Sequence, residues 1–148
     1  MTNQLSIHAV QQGGMRVTAD DGVHQVVMDY PLQAGVTGDG LTPLQMLLAS
    51  LAACSANSVL LVLKRRLEQP VAGLEVEARA VRSQEHPTVL TEISLEFIVK
   101  GAGVNPEAVV QAIRVSEEKL CPVWNMLKGG TRIAASFRIV QDAVATVH

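Results

Sequence analysis

Hydrophobic and polar residues alternate along much of the chain. Leu74, Val76, Ala78 and Ala80 alternate with Glu75, Glu77 and Arg79, and Ile93, Leu95, Phe97 and Val99 alternate with Ser94, Glu96 and Lys100. Successive side chains of a strand point to opposite faces, so both runs predict strands with one buried and one wet face. Nearer the N-terminus, three shorter runs cover Leu5 to Val10, Met15 to Ala19 and Val23 to Asp29. Gly13-Gly14 and Asp20-Asp21-Gly22 separate them, and Asp-Gly between extended runs signals a hairpin. The segment YPLQAGVTGDG, rich in Gly and Pro, then predicts a loop.

The alternation stops at Leu41, where twenty-three uncharged residues run to Leu63, followed by Lys64, Arg65 and Arg66. Thr42 followed by Pro43 is a helix start: a side-chain oxygen caps the first free N–H groups and proline tolerates the first helical position. The helix is predicted to reach about Leu67, before Pro70. Asn105-Pro106-Glu107 opens a second helix by the same capping logic with an acidic first turn, running to about Lys119. Cys121-Pro122 begins a short third helix ending at Gly129-Gly130, and Thr131 to Val140 is a last strand. The order is βββαββααβ, a single α+β domain over residues 1–148, with no repeat and no low-complexity segment.

The long uncharged run meets the length rule for a transmembrane helix. Against that reading, Gln45, Ser50, Ser55, Asn57 and Ser58 lie inside it, and the flanking elements alternate like a soluble sheet. A helix apolar all round can equally be buried on every side, and in a small protein this needs a second chain to cover what its own sheet leaves open. The small side chains of ASLAACSANS allow close helix-to-helix approach.

Composition points the same way. Hydrophobic residues make up 48% and charged residues 18%, whereas a lone small domain usually carries about a quarter charged residues, so an oligomer is expected. A net charge of −2, with Lys and Arg scattered, gives no basic field for nucleic acid. The start MTNQLSIHAVQQGG lacks the features of a secretory signal, which leaves a cytoplasmic, reducing setting as the expectation. His8, His24, His86 and His148 stand at no metal-ligand spacing with one another or with a cysteine, so neither a metal nor another cofactor is expected.

The chemistry then rests on two cysteines. On an ideal helix Cys54 shares its face with Leu47, Ser50, Leu51, Asn57, Ser58 and Leu61. It lies too deep in the helix for the N-terminal dipole, so activation of its thiol needs a cation. Arg16 is the sole Lys or Arg before Lys64. Cys121, directly before Pro122, is placed to cap a helix, where free N–H groups lower a thiol pKa, and Trp124 follows within a turn. Each residue also has an inert reading: a lone Cys is often a small buried hydrophobe, Arg16 a surface arginine and Trp124 core. Two such thiols brought together can run a peroxidase cycle, one attacking the peroxide bond and the other condensing with the resulting sulfenic acid.

GGMR near the N-terminus, TPLQMLLASLAACSA opening the long helix and SEEKLCPVWNML further on together resemble the osmotically inducible protein C and organic hydroperoxide resistance (OsmC/Ohr) family over nearly the whole chain. The resemblance implies an intertwined homodimer, with the long helices between two sheets, that reduces organic hydroperoxides. It implies Cys54 as the peroxidatic cysteine, Cys121 as the resolving cysteine, and Arg16 as the arginine that polarises the first thiol and binds peroxide. Lipoyl proteins or thioredoxin are the implied dithiol reductants. One position departs from the family: a glutamate that holds the arginine over the thiolate corresponds here to Leu44 or Gln45, neither a carboxylate. On regular geometry Gln45 points about 180° and Leu44 about 80° away from Cys54. The reading is therefore a cytoplasmic homodimeric thiol peroxidase, with Leu44, Gln45 and Trp124 near the substrate. The alternative is a non-catalytic dimer binding a small apolar ligand between Cys54 and Trp124.

Overall fold

The computed structural model describes residues 3–141, so His148 lies outside the described residues. Its elements follow the predicted order βββαββααβ, giving a mixed α+β fold with two three-stranded sheets. The chain divides into two compact units, with the division inside the long helix between Leu47 and Leu48.

In the first unit, β1 (His8–Gln11), β2 (Val17–Asp20) and β3 (Gln25–Met28) form an antiparallel sheet in that order. Strand β1 begins later than its hydrophobic run because its partner β2 ends at Asp20, opposite His8, leaving Leu5 and Ile7 beyond the ladder. The β2–β3 turn is held by acids: Asp20 Oδ1 accepts the Gly22 N–H at 2.9 Å, and Asp21 Oδ1 accepts the N–H groups of Val23 and His24 at 2.9 and 2.6 Å. These bonds, led by that from His24, hold the Asp21 carboxyl down to about 2. After β3 the loop returns alongside the strand it left: Leu41 bridges Met28, and the Asp29 N–H donates to the Leu41 carbonyl at 3.1 Å.

Helix α1 (Pro43–Leu61) starts with a reciprocal cap. The Gln45 N–H donates to Thr42 Oγ1 at 3.2 Å, and the Thr42 N–H donates to Gln45 Oε1 at 2.9 Å. The helix continues into a π-helical turn at Val62–Arg66, closed by the Leu67 N–H on the Val62 carbonyl at 2.9 Å. Glu68, with φ 50°, ends it. By length and composition Pro43–Arg66 is long and apolar enough to cross a membrane. One stripe of it, Leu51, Ser55, Ser58, Val59, Val62 and Leu63, is buried. The two serines are satisfied within the helix, Ser55 Oγ donating to the Ala52 carbonyl and Ser58 Oγ to that of Cys54.

The second sheet runs in the order β4 (Gly73–Arg82), β5 (Leu90–Lys100), β6 (Arg132–Val140), antiparallel then parallel. A parallel pair needs a crossover. It is supplied by α2 (Pro106–Val115), a π-helical turn at Ser116–Leu120 and α3 (Pro122–Leu127). The Asn105 side chain caps α2 by accepting the Glu107 N–H at 3.0 Å. The predicted alternation is realised: Ile93, Leu95, Phe97 and Val99 of β5 are buried with Val109 and Ala112 of α2. The opposite face carries ion pairs such as Lys100–Glu75 and Arg138–Glu96.

Candidate functional site

Two free thiols meet in the second unit. Cys121 is fully buried at the entry to α3 and extended, with φ −82° and ψ 106°. Its backbone is fixed at both ends: its N–H donates to the Ser116 carbonyl at 2.9 Å, closing the π-helical turn, and its carbonyl accepts Asn125 N–H at 3.1 Å and Asn125 Nδ2 at 2.8 Å. Pro122 fixes the first helical position, and the Trp124 N–H donates to Cys121 Sγ at 3.4 Å. The Cys121 thiol also lies beside the thiol of Cys54, on α1, near enough for the two to affect each other's ionisation.

This environment corrects one expectation from the sequence. The helix-capping position predicts a lowered Cys121 pKa, whereas it is pushed up to about 11. Burial is the largest cause: withdrawal from water penalises the thiolate more than the N–H groups of Trp124 and Val123 stabilise it, and the neighbouring Cys54 thiol raises it further. Cys121 therefore keeps its proton at neutral pH.

Cys54 is half-buried and sits on a seam of α1. Of the residues predicted to share its face, Leu51 and Ser58 are buried, whereas Leu47 and Leu61 are 39% and 42% exposed. Trp124, predicted near the substrate, is 1% exposed, so in the single chain its ring is core and offers no open wall. Its indole N–H, like the Ser116 hydroxyl, is buried without a hydrogen-bond partner among the described residues.

Arg16 is described within the first unit. It follows a Gly13-Gly14 turn in which its N–H donates to the Gly13 carbonyl at 3.1 Å, and its Nη1 pairs with Asp39 Oδ2 at 3.1 Å. Arg16 and Asp39 border a cleft of about 380 Å³ lined also by Met15, Tyr30, Leu32 and Val36. The carboxylate beside Arg16 thus comes from neither position 44 nor position 45. Leu44 carries no polar side-chain atom, and the Gln45 amide oxygen is taken by the Thr42 N–H. Asp39 had no role in the sequence reading; the signal that marks it is its setting between Gly38 and Gly40.

The profile of the OsmC-like protein family matches residues 36–136. Protein YhfA of Escherichia coli K12 is 36% identical over 118 residues, covering 79% of this chain and 84% of YhfA. Two solved structures share the fold. An OsmC-like protein from Mycoplasma pneumoniae, 24% identical, superposes with a TM-score of 0.81 over 95% of this chain and 100% of that one. An organic hydroperoxide resistance protein from Elizabethkingia anophelis, 22% identical, gives 0.72 over 95% and 100%. With its profile match, its YhfA likeness and its βββαββααβ fold, the chain belongs to the OsmC-like family.

Proposed function

We propose that the protein is a thiol peroxidase that reduces organic hydroperoxides. The observation that carries this reading is the meeting of the Cys54 and Cys121 thiols, both free, within one compact unit. The Cys54 thiolate attacks the terminal oxygen of R–O–O–H. The O–O bond breaks, Cys54 becomes a sulfenic acid, and the departing alkoxide takes a proton to leave as the alcohol. Arg16 is assigned the stabilisation of the thiolate and of the alkoxide charge. Cys121 sulfur then attacks the Cys54 sulfenic sulfur, displacing its hydroxyl, which leaves as water with the Cys121 proton. The product is a Cys54–Cys121 disulfide. A dithiol reductant returns both thiols and is itself oxidised to a disulfide.

The apolar stripe beside Cys54 suits an organic rather than an inorganic peroxide. Leu47 and Leu61 are exposed, and Ala19 is the one buried apolar side chain among the described residues of the first unit. Both features support a homodimer in which a second copy covers these surfaces. A soluble, cytoplasmic dimer also fits free thiols and the polar residues within α1 better than a membrane-spanning helix does.

The test is to add cumene hydroperoxide to the reduced protein and count thiols. Loss of both thiols with formation of an internal disulfide is expected. Survival of both in excess peroxide sinks the reading, and an apolar ligand carried by the intact dimer would then identify a binding protein.

A further inference from the structure

Exposed ion pairs between flexible side chains usually contribute little, and Arg16–Asp39 is an exposed pair, with side chains 44% and 65% accessible. What sets it apart is how both partners are held. Asp39 lies in Gly38-Asp39-Gly40: a Cβ on Gly40 would strike the Val27 carbonyl, and one on Gly38 would press on the Asp29 side chain at 3.2 to 3.3 Å. The Asp39 N–H donates to Asp29 Oδ2 at 3.0 Å, and Asp29 is itself tied to Leu41 through its own N–H. One acid thus fixes the backbone that presents another.

Arg16 is held from its own side. Gly13 and Gly14 adopt φ of 104° and 56°, conformations that favour glycine. Gln11 Nε2 donates to the Gly14 carbonyl at 3.0 Å, and the Gln12 N–H donates to the Arg16 carbonyl at 2.8 Å. Two separately braced turns therefore meet at one contact, Nη1 to Oδ2. A guanidinium has five N–H donors in a planar fork. A contact at Nη1 alone orients the plane and leaves donors for a ligand oxygen in the adjoining cleft.

We propose that Asp39 is the positioning residue for Arg16, presented by the Gly38-Asp39-Gly40 turn and braced by Asp29, so that the guanidinium is pre-oriented to bind the peroxide oxygens. The proposal rests on the peroxidase reading and assigns the orienting carboxylate to a loop rather than to the start of α1. Gln45 supplies no acceptor for it, because its side-chain oxygen is taken by the Thr42 N–H.

The experiment measures kcat and KM for cumene hydroperoxide, with dithiothreitol as reductant, in the full chain and in Arg16→Ala, Asp39→Asn, Asp39→Ala, Asp39→Glu and the Arg16→Ala/Asp39→Ala double variant. Removing a preoriented charge-stabilising donor lowers turnover by about a hundredfold, the expectation for Arg16→Ala. Asp39→Ala is expected to lose about tenfold, mainly in kcat because the donor remains but is misaligned. Asp39→Asn, nearly isosteric, separates loss of charge from loss of fold, and Asp39→Glu is expected to recover part of the rate. The double variant is expected to match Arg16→Ala within about twofold, since groups acting as a unit are not additive. Multiplied losses in the double variant, unchanged kcat in Asp39→Ala, or no loss in Arg16→Ala would each overturn the proposal. If the unaltered chain consumes no peroxide, the peroxidase reading falls on its own. The same variants are then compared by the rate of Cys54 alkylation with iodoacetamide, located by peptide mass. A shared, non-additive change upholds the pairing, and no change in either single variant overturns it.

Discussion

Cys121 is fully buried beside the half-buried Cys54, and that burial pushes its thiol pKa up to about 11. Since the thiolate is the nucleophile, buried and protonated Cys121 is a poor first attacker, and on the proposed peroxidase cycle the more accessible Cys54 is expected to react first. Cys121→Ser should therefore stop after the first step, leaving a sulfenic acid on Cys54 that dimedone traps and mass spectrometry locates. Cys54→Ser should leave Cys121 unreacted on the same timescale, because a buried, protonated sulfur offers peroxide almost no thiolate. Peroxide-dependent modification of Cys121 in Cys54→Ser, at the rate seen in the unaltered chain, would reverse the assignment.

The same thiol makes stability depend on alkaline pH. Its pKa is raised in the fold from an ordinary 9.0 to about 11, so between these values the folded chain binds a proton that the unfolded chain has released. The contribution is complete below pH 9 and is lost as pH rises through about 11. Over that window roughly 2 to 3 kcal/mol is at stake. Urea unfolding at pH 8 and pH 10.5 should show a steeper decline in the unaltered protein than in Cys121→Ala. Parallel declines would mean that Cys121 is not shielded from water as its burial requires.

The elements were legible in the sequence where one physical rule governed them. Alternation gave β4 and β5, and Asn105-Pro106 gave the start of α2, because burial and capping act locally. The π-helical turns were not legible: the long helix was predicted as one run to about Leu67, but from Val62 its bonds reach one residue further, and nothing in VLKRR distinguishes the two geometries. At the site, Cys54 and Cys121 could be singled out as residue types, but their meeting depends on how the crossover folds. The sequence predicts the wrong sign for the Cys121 shift because capping can be read from Pro122, whereas the burial that outweighs it belongs to tertiary packing. Asp39 is not legible in the sequence because its placement depends on Asp29 and two glycines brought together by the return of the loop along β3.

Gln45 separates stability from chemistry. Its side chain closes the reciprocal cap with Thr42, and loss of a capping interaction typically costs about 0.5 to 2 kcal/mol. Gln45→Ala and Thr42→Ala should each lower unfolding stability by about 1 kcal/mol. With Asp39 rather than Gln45 proposed to orient Arg16, peroxide turnover below the melting temperature is expected to change by less than about threefold in Gln45→Ala, well short of the loss from a misaligned catalytic group. Denaturant unfolding and steady-state kinetics on the same preparations give both quantities. A tenfold rate loss without a stability loss would return Gln45 to the site.

The exposed stripe of α1 predicts the assembly. Leu61 is 42% exposed and stands beside Leu60, Asn57, Lys64 and Arg65 around an open cleft, a surface that a second copy would cover. In a two-fold dimer each substitution appears twice. Leu61→Glu would then remove two leucines and leave two carboxylates short of water. With 42% of each leucine left to bury, about 1 kcal/mol is lost per leucine, and with two carboxylates kept from water association should weaken by about a hundredfold or more. Sedimentation in detergent-free buffer at micromolar concentration should show a dimer for the unaltered chain and a monomer for Leu61→Glu. The variant should also melt earlier, since the described residues of the first unit bury almost no apolar side chain of their own. A monomer in the unaltered protein, or a dimer indifferent to Leu61→Glu, would mean that this stripe is not where two copies meet. A chain soluble only in detergent would instead show α1 acting on the length and apolarity that suit it to a membrane.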